Sequence, residues 1–308
     1  MLVYTHDDCL HKDNGLNHPE RKERIISILN SIEQIKDFKI DFKKAPLADI
    51  KTISLVHPSD HIKKIFSNIP KTGLIGVEKE PYADTMLCPN SEKAILRSCG
   101  AGIAAADELM KNNERAFCAV RPPGHHAESE KAMGFCFINN AAVTARYLQK
   151  RYKVTKIAII DFDVHHGNGT QEIFYNDETV AYGSSHEFPL FPGTGLEEEK
   201  GKGNIFNAPL KSGIKGKEFL SIFETKILKP IDKFKPEIIL ISAGFDAHAR
   251  DPLANINLES EDFYQITKSI VDLANIHSKG RIISFLEGGY DLLALSESIK
   301  KHLTALKV

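Results

Sequence analysis

The chain has 308 residues, 42% of them hydrophobic and 26% charged, the balance of a globular protein with a sizeable core, which excludes a disordered or fibrous chain. Forty Lys and Arg offset 41 Asp and Glu for a formal charge of −1, with no long run of one sign, so direct nucleic-acid binding is not expected. No apolar stretch nears the roughly 18 residues of a spanning helix, so no membrane role is expected either.

The opening residues, Met1-Leu-Val-Tyr-Thr-His-Asp-Asp, lack the basic region and apolar run of a secretory signal. A short strand is predicted at 2–4, then a helix at 19–34 in which Ile25, Ile28, Leu29 and Ile32 share one face behind Pro19. A long loop fills 70–90. The next helix starts at Ser91 and runs to Leu109, with small residues that allow close packing. Beyond it, apolar runs at 116–120, 156–160, 179–183, 238–242 and 281–286 read as strands. Helices are expected at 139–152, 217–234, 260–277 and 292–306, and a second long loop at 185–209. The strands are continuously apolar, as parallel strands covered by helices on both faces are. No linker, repeat or low-complexity tract interrupts 1–308, so a single α/β domain with long functional loops is expected. Cys9, Cys88, Cys99, Cys118 and Cys136 are odd in number and form no Cys-x-x-Cys pair, which points to a reducing, cytoplasmic setting.

In open parallel sheets ligands bind beyond the carboxyl ends of the strands. Four predicted strands end in chemistry: the first runs into Arg121-Pro-Pro-Gly-His-His126 and the second into Asp161-Phe-Asp-Val-His-His-Gly-Asn-Gly169. The other two run into Ser242-Ala-Gly-Phe-Asp-Ala-His248 and Leu286-Glu-Gly-Gly-Tyr290. In extended backbone Asp161, Asp163 and His165 share a face, aiming Asp163 and His165 at a cation with Asp161 behind them. One such residue alone is more often a cap. Several at converging strand ends favour a metal, and two carboxylates with an imidazole and an open position suit catalytic zinc. His125 and His126 are adjacent and read as acid-base groups rather than ligands, with Asp161 and Asn168 as candidate partners for their far nitrogens. An Asp partner favours the protonated ring and an Asn partner fixes a tautomer without that charge, so the two need not share a protonation state. Tyr290, after two glycines, offers a hydroxyl to a developing oxyanion. Phe135 and Phe191 read equally as walls of a narrow apolar channel or as ordinary loop anchors.

Together with His18-Pro-Glu-Arg21, Gly134-Phe-Cys-Phe and Phe191-Pro-Gly-Thr-Gly195, these motifs resemble in order, over nearly the whole chain, those of the zinc-dependent histone deacetylase superfamily. Glu287, Asn168 and His18-Pro-Glu resemble its class II and bacterial deacetylase-like branch. The resemblance implies an arginase-deacetylase fold, a central eight-stranded parallel sheet between helices, with one Zn2+ per chain held by Asp163, His165 and Asp246. It implies His126 as general base and then acid, and His125 paired with Asp161 as an electrostatic aid. Tyr290 would act with the metal on the acyl carbonyl, and Gly134, Phe135, Phe191 and Leu253 would line the substrate's alkyl chain. Structural K+ ions are implied at Asp161, Asp163, His165, Ser184 and Ser185, and at Phe174, Asp177 and Val180.

Three positions choose among relatives. His248 stands where binuclear manganese ureohydrolases of the same fold need a further carboxylate. Leu253, after Asp251-Pro252, lacks the acidic gatekeeper of acetylpolyamine hydrolases, and Tyr290 is not replaced by His. The expected function is therefore zinc-dependent hydrolysis of acetyl or longer acyl groups from lysines of proteins or peptides, with Fe2+ as an alternative metal. The alternatives are a small-molecule amidohydrolase acting on acetylated amines, and a catalytically weak acyl-lysine binding protein, which the complete His125, His126 and Tyr290 set disfavours. A loop at 70–90 without a large insertion argues against the loop-mediated dimers of some polyamine-specific relatives.

Overall fold

The structure is a computed structural model that describes residues 1–77 and 84–308. Residues 78–83, within the loop predicted at 70–90, lie outside the described residues. Ten strands are present among the described residues: β1 (Leu2–Thr5), β2 (Asp41–Lys44), β3 (Ile75–Gly76), β4 (Met86–Leu87), β5 (Ala116–Cys118), β6 (Ile157–Asp161), β7 (Val180–Glu187), β8 (Ile205–Leu210), β9 (Ile238–Ala243) and β10 (Ile282–Leu286). Eight form one sheet in the order β2-β1-β5-β10-β9-β6-β7-β8. Every pairing in it is parallel. The small antiparallel pair β3-β4 stands apart.

Period-two alternation divides each central strand between two cores. Ala158, Ile160, Ile239 and Ile241 pack with Ile25 and Ile28 of Glu23–Ile32, Phe263 and Ile266 of Ser260–His277, and Leu295 and Ile299 of Leu292–Lys307. Ile157, Ile159, Ile238 and Leu240 face the other way, onto Ala101, Ala105 and Leu109 of Ser91–Asn112 and Ala141 and Leu148 of Asn140–Tyr152. Both faces are thus covered, which is why these strands are apolar throughout.

The structure departs from the sequence reading mainly at the sheet edges. Asp41–Lys44 has no apolar run and is mostly exposed; it is a strand because its backbone pairs with β1. The loop predicted at 185–209 instead begins with the end of β7 and ends in β8. Pro209 sits in β8 because an edge strand has one side free of ladder bonds. The helix predicted at 217–234 is three segments, Gly216–Phe223, a π-helical Glu224–Leu228, and Lys229–Phe234. Pro230 accounts for the break, since it has no N–H to give to an unbroken α ladder. The short helices Asp8–His11, Ile50–Ile53, Ser59–Ser67 and Asn168–Phe174 were not signalled by periodicity. Among the described residues no helix is long and apolar enough to cross a membrane.

Candidate metal centre and its channel

The four chemistry-bearing strand ends belong to β5, β10, β9 and β6, which are neighbours in the sheet. Their loops therefore open on one spot, where strands of distant sequence order lie side by side. After β6 the chain leaves extended conformation, and Asp161 lies outside the cluster that Asp163 and His165 form with Asp246. Its Oδ2 instead accepts from the Tyr182 hydroxyl and lies 3.0 Å from His125 Nδ1, while Oδ1 accepts from the Asp163 N–H.

Asp163 and His165 turn toward Asp246 from β9. His165 Nδ1 lies 3.1 Å from Asp163 Oδ1 and 3.2 Å from Asp246 Oδ2. One ligand atom from each of the three lies within 4.8 Å of the others, and all three residues are buried. Their carboxylates are fixed from behind. Gly288 N–H donates to Asp163 Oδ2 at 2.7 Å and Val164 N–H to Asp246 Oδ1 at 2.9 Å. Gly288 is required there, because a Cβ would stand 2.0 Å from Asp246 Oδ2 and 2.6 Å from Asp163 Oδ2. Burial pushes the Asp246 carboxyl upward, with the facing Asp163 adding to it. Burial alone would lower His165, but its hydrogen bonds to Asp163 and Asp246 hold it up at about 10. Two buried carboxylates facing one imidazole call for positive charge. Two oxygens and one nitrogen are a donor set that zinc accepts, so the residues fit the ion.

The paired histidines differ in charge as well as partner. Burial opposes charge on His125, yet Asp161, then Asp163 and Glu287, raise it to about 10. Burial and the neighbouring His125 and His165 push His126 well below its ordinary value. His126 Nδ1 lies 2.9 Å from Asn168 Oδ1. The Arg121-Pro-Pro-Gly turn that presents the pair is held by Glu287, whose Oε2 accepts the N–H groups of Gly124 and His125. Burial lifts Glu287 to about 7.

A cavity of about 240 Å3 lies over this cluster, lined by His126, Gly134, Phe135, His165, Leu190, Phe191, Leu253, Tyr290 and Asp84. Phe135 and Phe191 are thus channel walls. Gly134 has φ +56°, and a Cβ there would stand 2.4 Å from His126 Cδ2. Phe191 is 41% exposed at the rim, 5.2 Å from His126 between ring centroids. Tyr290 is half-buried and burial raises its phenol well above the ordinary value, so it is a neutral donor. Its N–H donates to Asp251 Oδ2, and the Arg24 guanidinium stands 4.9 Å from its ring centroid.

Several of these supports were not assigned roles from sequence. Arg24 is buried and donates to the carbonyls of Gly289 and Glu287. Glu20 of the His18-Pro-Glu-Arg motif forms a buried pair with Arg121, Oε2 to the guanidinium at 2.7 Å. His18 packs 4.7 Å from Phe135, and its Nε2 lies 3.1 Å from the Asp84 carbonyl. Asp84, Glu128 and Leu190 gave no sequence signal. His248 Nδ1 accepts the Arg250 N–H and its Nε2 faces Ser260. Among the described residues, Asp163, His165 and Asp246 form the one cluster of metal-ligand type.

The two K+ positions differ. At the first, the carbonyls of Asp163 and His165 accept no backbone hydrogen bond among the described residues, and Ser185 Oγ is buried without a partner. Ser184 Oγ faces His186 Nδ1. At the second, the carbonyls of Phe174, Asp177 and Val180 converge as expected, but on the Asn204 side chain. Its Nδ2 lies 2.9, 3.0 and 2.8 Å from them. Asn204 Oδ1 accepts the Lys202 N–H, which fixes the amide this way round. An amide nitrogen stands where the ion would be, so these residues do not fit a second K+.

A family model described as the histone deacetylase domain matches residues 17–306. A "Probable deacetylase" of Archaeoglobus fulgidus is 34% identical over 297 residues, covering 94% of this chain and 81% of its own. "Histone deacetylase 14, chloroplastic" of Arabidopsis thaliana is 36% identical, covering 99% and 76%. The crystal structure of the HDA15 HD domain superposes with a TM-score of 0.92 at 30% identity, covering 100% of this chain and 91% of that one.

Proposed function

We propose, from the premise that this chain belongs to the histone deacetylase family, that it is a zinc-dependent hydrolase removing acetyl or longer acyl groups from lysine side chains of proteins or peptides. The observation that carries the reading is the meeting of a buried Asp163, His165 and Asp246 cluster, the His126 imidazole and the Tyr290 phenol at the floor of one apolar channel.

Zinc held by Asp163, His165 and Asp246 would polarise the acyl carbonyl and acidify water. His126, with Nδ1 engaged by Asn168, offers Nε2 to take a proton from the attacking water and return it to the departing amine. His125 remains charged on Asp161 and favours the negative charge that develops at the carbonyl oxygen. Tyr290 donates its hydroxyl proton as a hydrogen bond to that oxygen, and Arg24 and Asp251 hold it in position. Phe135, Phe191, Leu190 and Leu253 shed water from a methylene chain. The first K+ position, by its free carbonyls and Ser185, would brace the turn that carries Asp163 and His165.

Asp84 in the channel lining favours one second reading, a small acetylated amine whose distal ammonium it would attract. Acetate release from an acetyl-lysine peptide and from an acetylated diamine, measured side by side with Tyr290→Phe, tests both. Lysine preference with a loss of roughly 10²–10³ in kcat for the variant is expected. Preference for the diamine would reverse the ranking, and no effect of Tyr290→Phe would remove it from the mechanism.

A further inference from the structure

We propose that Glu128 is a positioning residue that decides which way the Asn168 amide faces, and thereby which nitrogen of His126 carries its proton. Asn168 Oδ1 lies 2.9 Å from His126 Nδ1, and its Nδ2 lies 2.7 Å from Glu128 Oε1, 3.3 Å from Met133 Sδ and, most distantly, 3.5 Å from the His126 carbonyl. The two ends of an asparagine amide have nearly the same shape, so packing alone does not choose between them. A carboxylate only accepts, and so does a thioether, so both groups demand the NH2 end. Oδ1 is then left for His126, Nδ1 must carry the hydrogen, and the Nε2 lone pair is free to act as a base. With the amide reversed, Nδ1 accepts, Nε2 is protonated, and the ring has no base to offer.

Glu128 is itself held. Its N–H donates to the Lys131 carbonyl at 2.9 Å, and the adjacent Ser129 donates through N–H and Oγ to Glu172 at 2.9 and 2.8 Å. Glu172 lies on Asn168–Phe174, so the turn carrying Glu128 is tied to the helix carrying Asn168.

An aspartate at position 168 would need no such guide, since both its oxygens accept, but it would face Glu128 as a like charge. The cycle of zinc-loaded wild type, Glu128→Ala, Asn168→Asp and the double variant therefore tests the assignment, its kinetic arm resting on the proposed hydrolase reading. Glu128→Ala should lower kcat about 10- to 100-fold, the scale of one charged hydrogen bond, with KM little changed. Asn168→Asp alone should also fall, and in the double variant Nδ1 of His126 should carry a hydrogen throughout, since an aspartate can only accept. Glu128→Gln, which keeps shape and an acceptor, should lie between wild type and Glu128→Ala. Nitrogen NMR of 15N-histidine protein, with His126 assigned against His126→Ala, should find the hydrogen on Nδ1 in wild type and a mixture in Glu128→Ala. An unchanged tautomer in Glu128→Ala, or a double variant in which Nδ1 lacks its hydrogen, would overturn the proposal. A wild type that hydrolyses nothing would instead sink the hydrolase reading, and the tautomer comparison would still decide the role of Glu128.

Discussion

His125 and His126 are consecutive, with ring centroids 4.0 Å apart, but Asp161 gives the first a charged partner and Asn168 gives the second a neutral one. Asp161 is what keeps His125 charged against its burial, so Asp161→Asn should lower the His125 value from about 10. If that charge assists the rate, the alkaline limb of the kcat–pH profile moves to lower pH in the variant, which a profile from pH 6 to about 10 checks. An unmoved limb would assign it to another group. At this scale Asp163, His165 and the histidine pair were legible as candidates because they follow apolar strands, and Asp246 joined them through the family resemblance. Glu128 and Asp84 were not, because a half-buried carboxylate in a loop has the sequence appearance of a solvated charge. Arg24 was hidden by its place on an amphipathic helix whose charged residues normally face water.

The candidate site stands on strand ends, not strands, and the carboxylates of Asp163 and Asp246 are held there by backbone N–H groups of neighbouring segments. Gly288→Ala tests this, since its Cβ would enter the space of Asp246 Oδ2. Zinc affinity should fall about 10- to 100-fold, the usual cost of disturbing a ligand's support, as read by competition with a chelating dye. Unchanged affinity would mean that the turn yields freely. A second test concerns the carbonyls of Phe174, Asp177 and Val180. With Asn204 Nδ2 among them, wild-type melting should not respond to K+ through this position, whereas Asn204→Ala should lose about 1–3 kcal/mol and recover part of it in KCl but not in tetramethylammonium chloride. A wild type as K+-responsive as the variant at this position would contradict the amide's role. The central strands were legible because both their faces are apolar. Asp41–Lys44 and Ile205–Leu210 were not, because an edge strand is defined by its partner's hydrogen bonds and not by its own side chains.

The whole sheet brings together residues from 121 to 290 because β5, β10, β9 and β6 are adjacent despite their distance in sequence. The motif order disclosed this architecture through its family resemblance, and the strand order was beyond what periodicity alone conveys. The same dense interior makes the molecule acid-sensitive. His57 and His186 are lowered to about 4 and His302 to about 3, each by burial. Unfolded, they would take up protons near pH 6.5. Below that the unfolded chain binds more protons, so the stability these three rings contribute is full above pH 6.5 and falls as pH drops toward 4, by up to about 4 kcal/mol per unit for the three together. Denaturant unfolding at pH 7, 6 and 5 checks the slope, and His302→Gln should flatten it; equal stability at the three pH values would show that these rings titrate normally.

The converging loops hold one proposed metal-dependent hydrolytic site. Protein stripped with a chelator and titrated with zinc, while acetate release from an acetyl-lysine peptide is followed, addresses it most directly. No turnover is expected without metal, and a rise that saturates at one equivalent of zinc is expected on titration. Full turnover by the stripped protein, or one tightly bound zinc with no turnover of either acyl-lysine or acetylated amines, would contradict it.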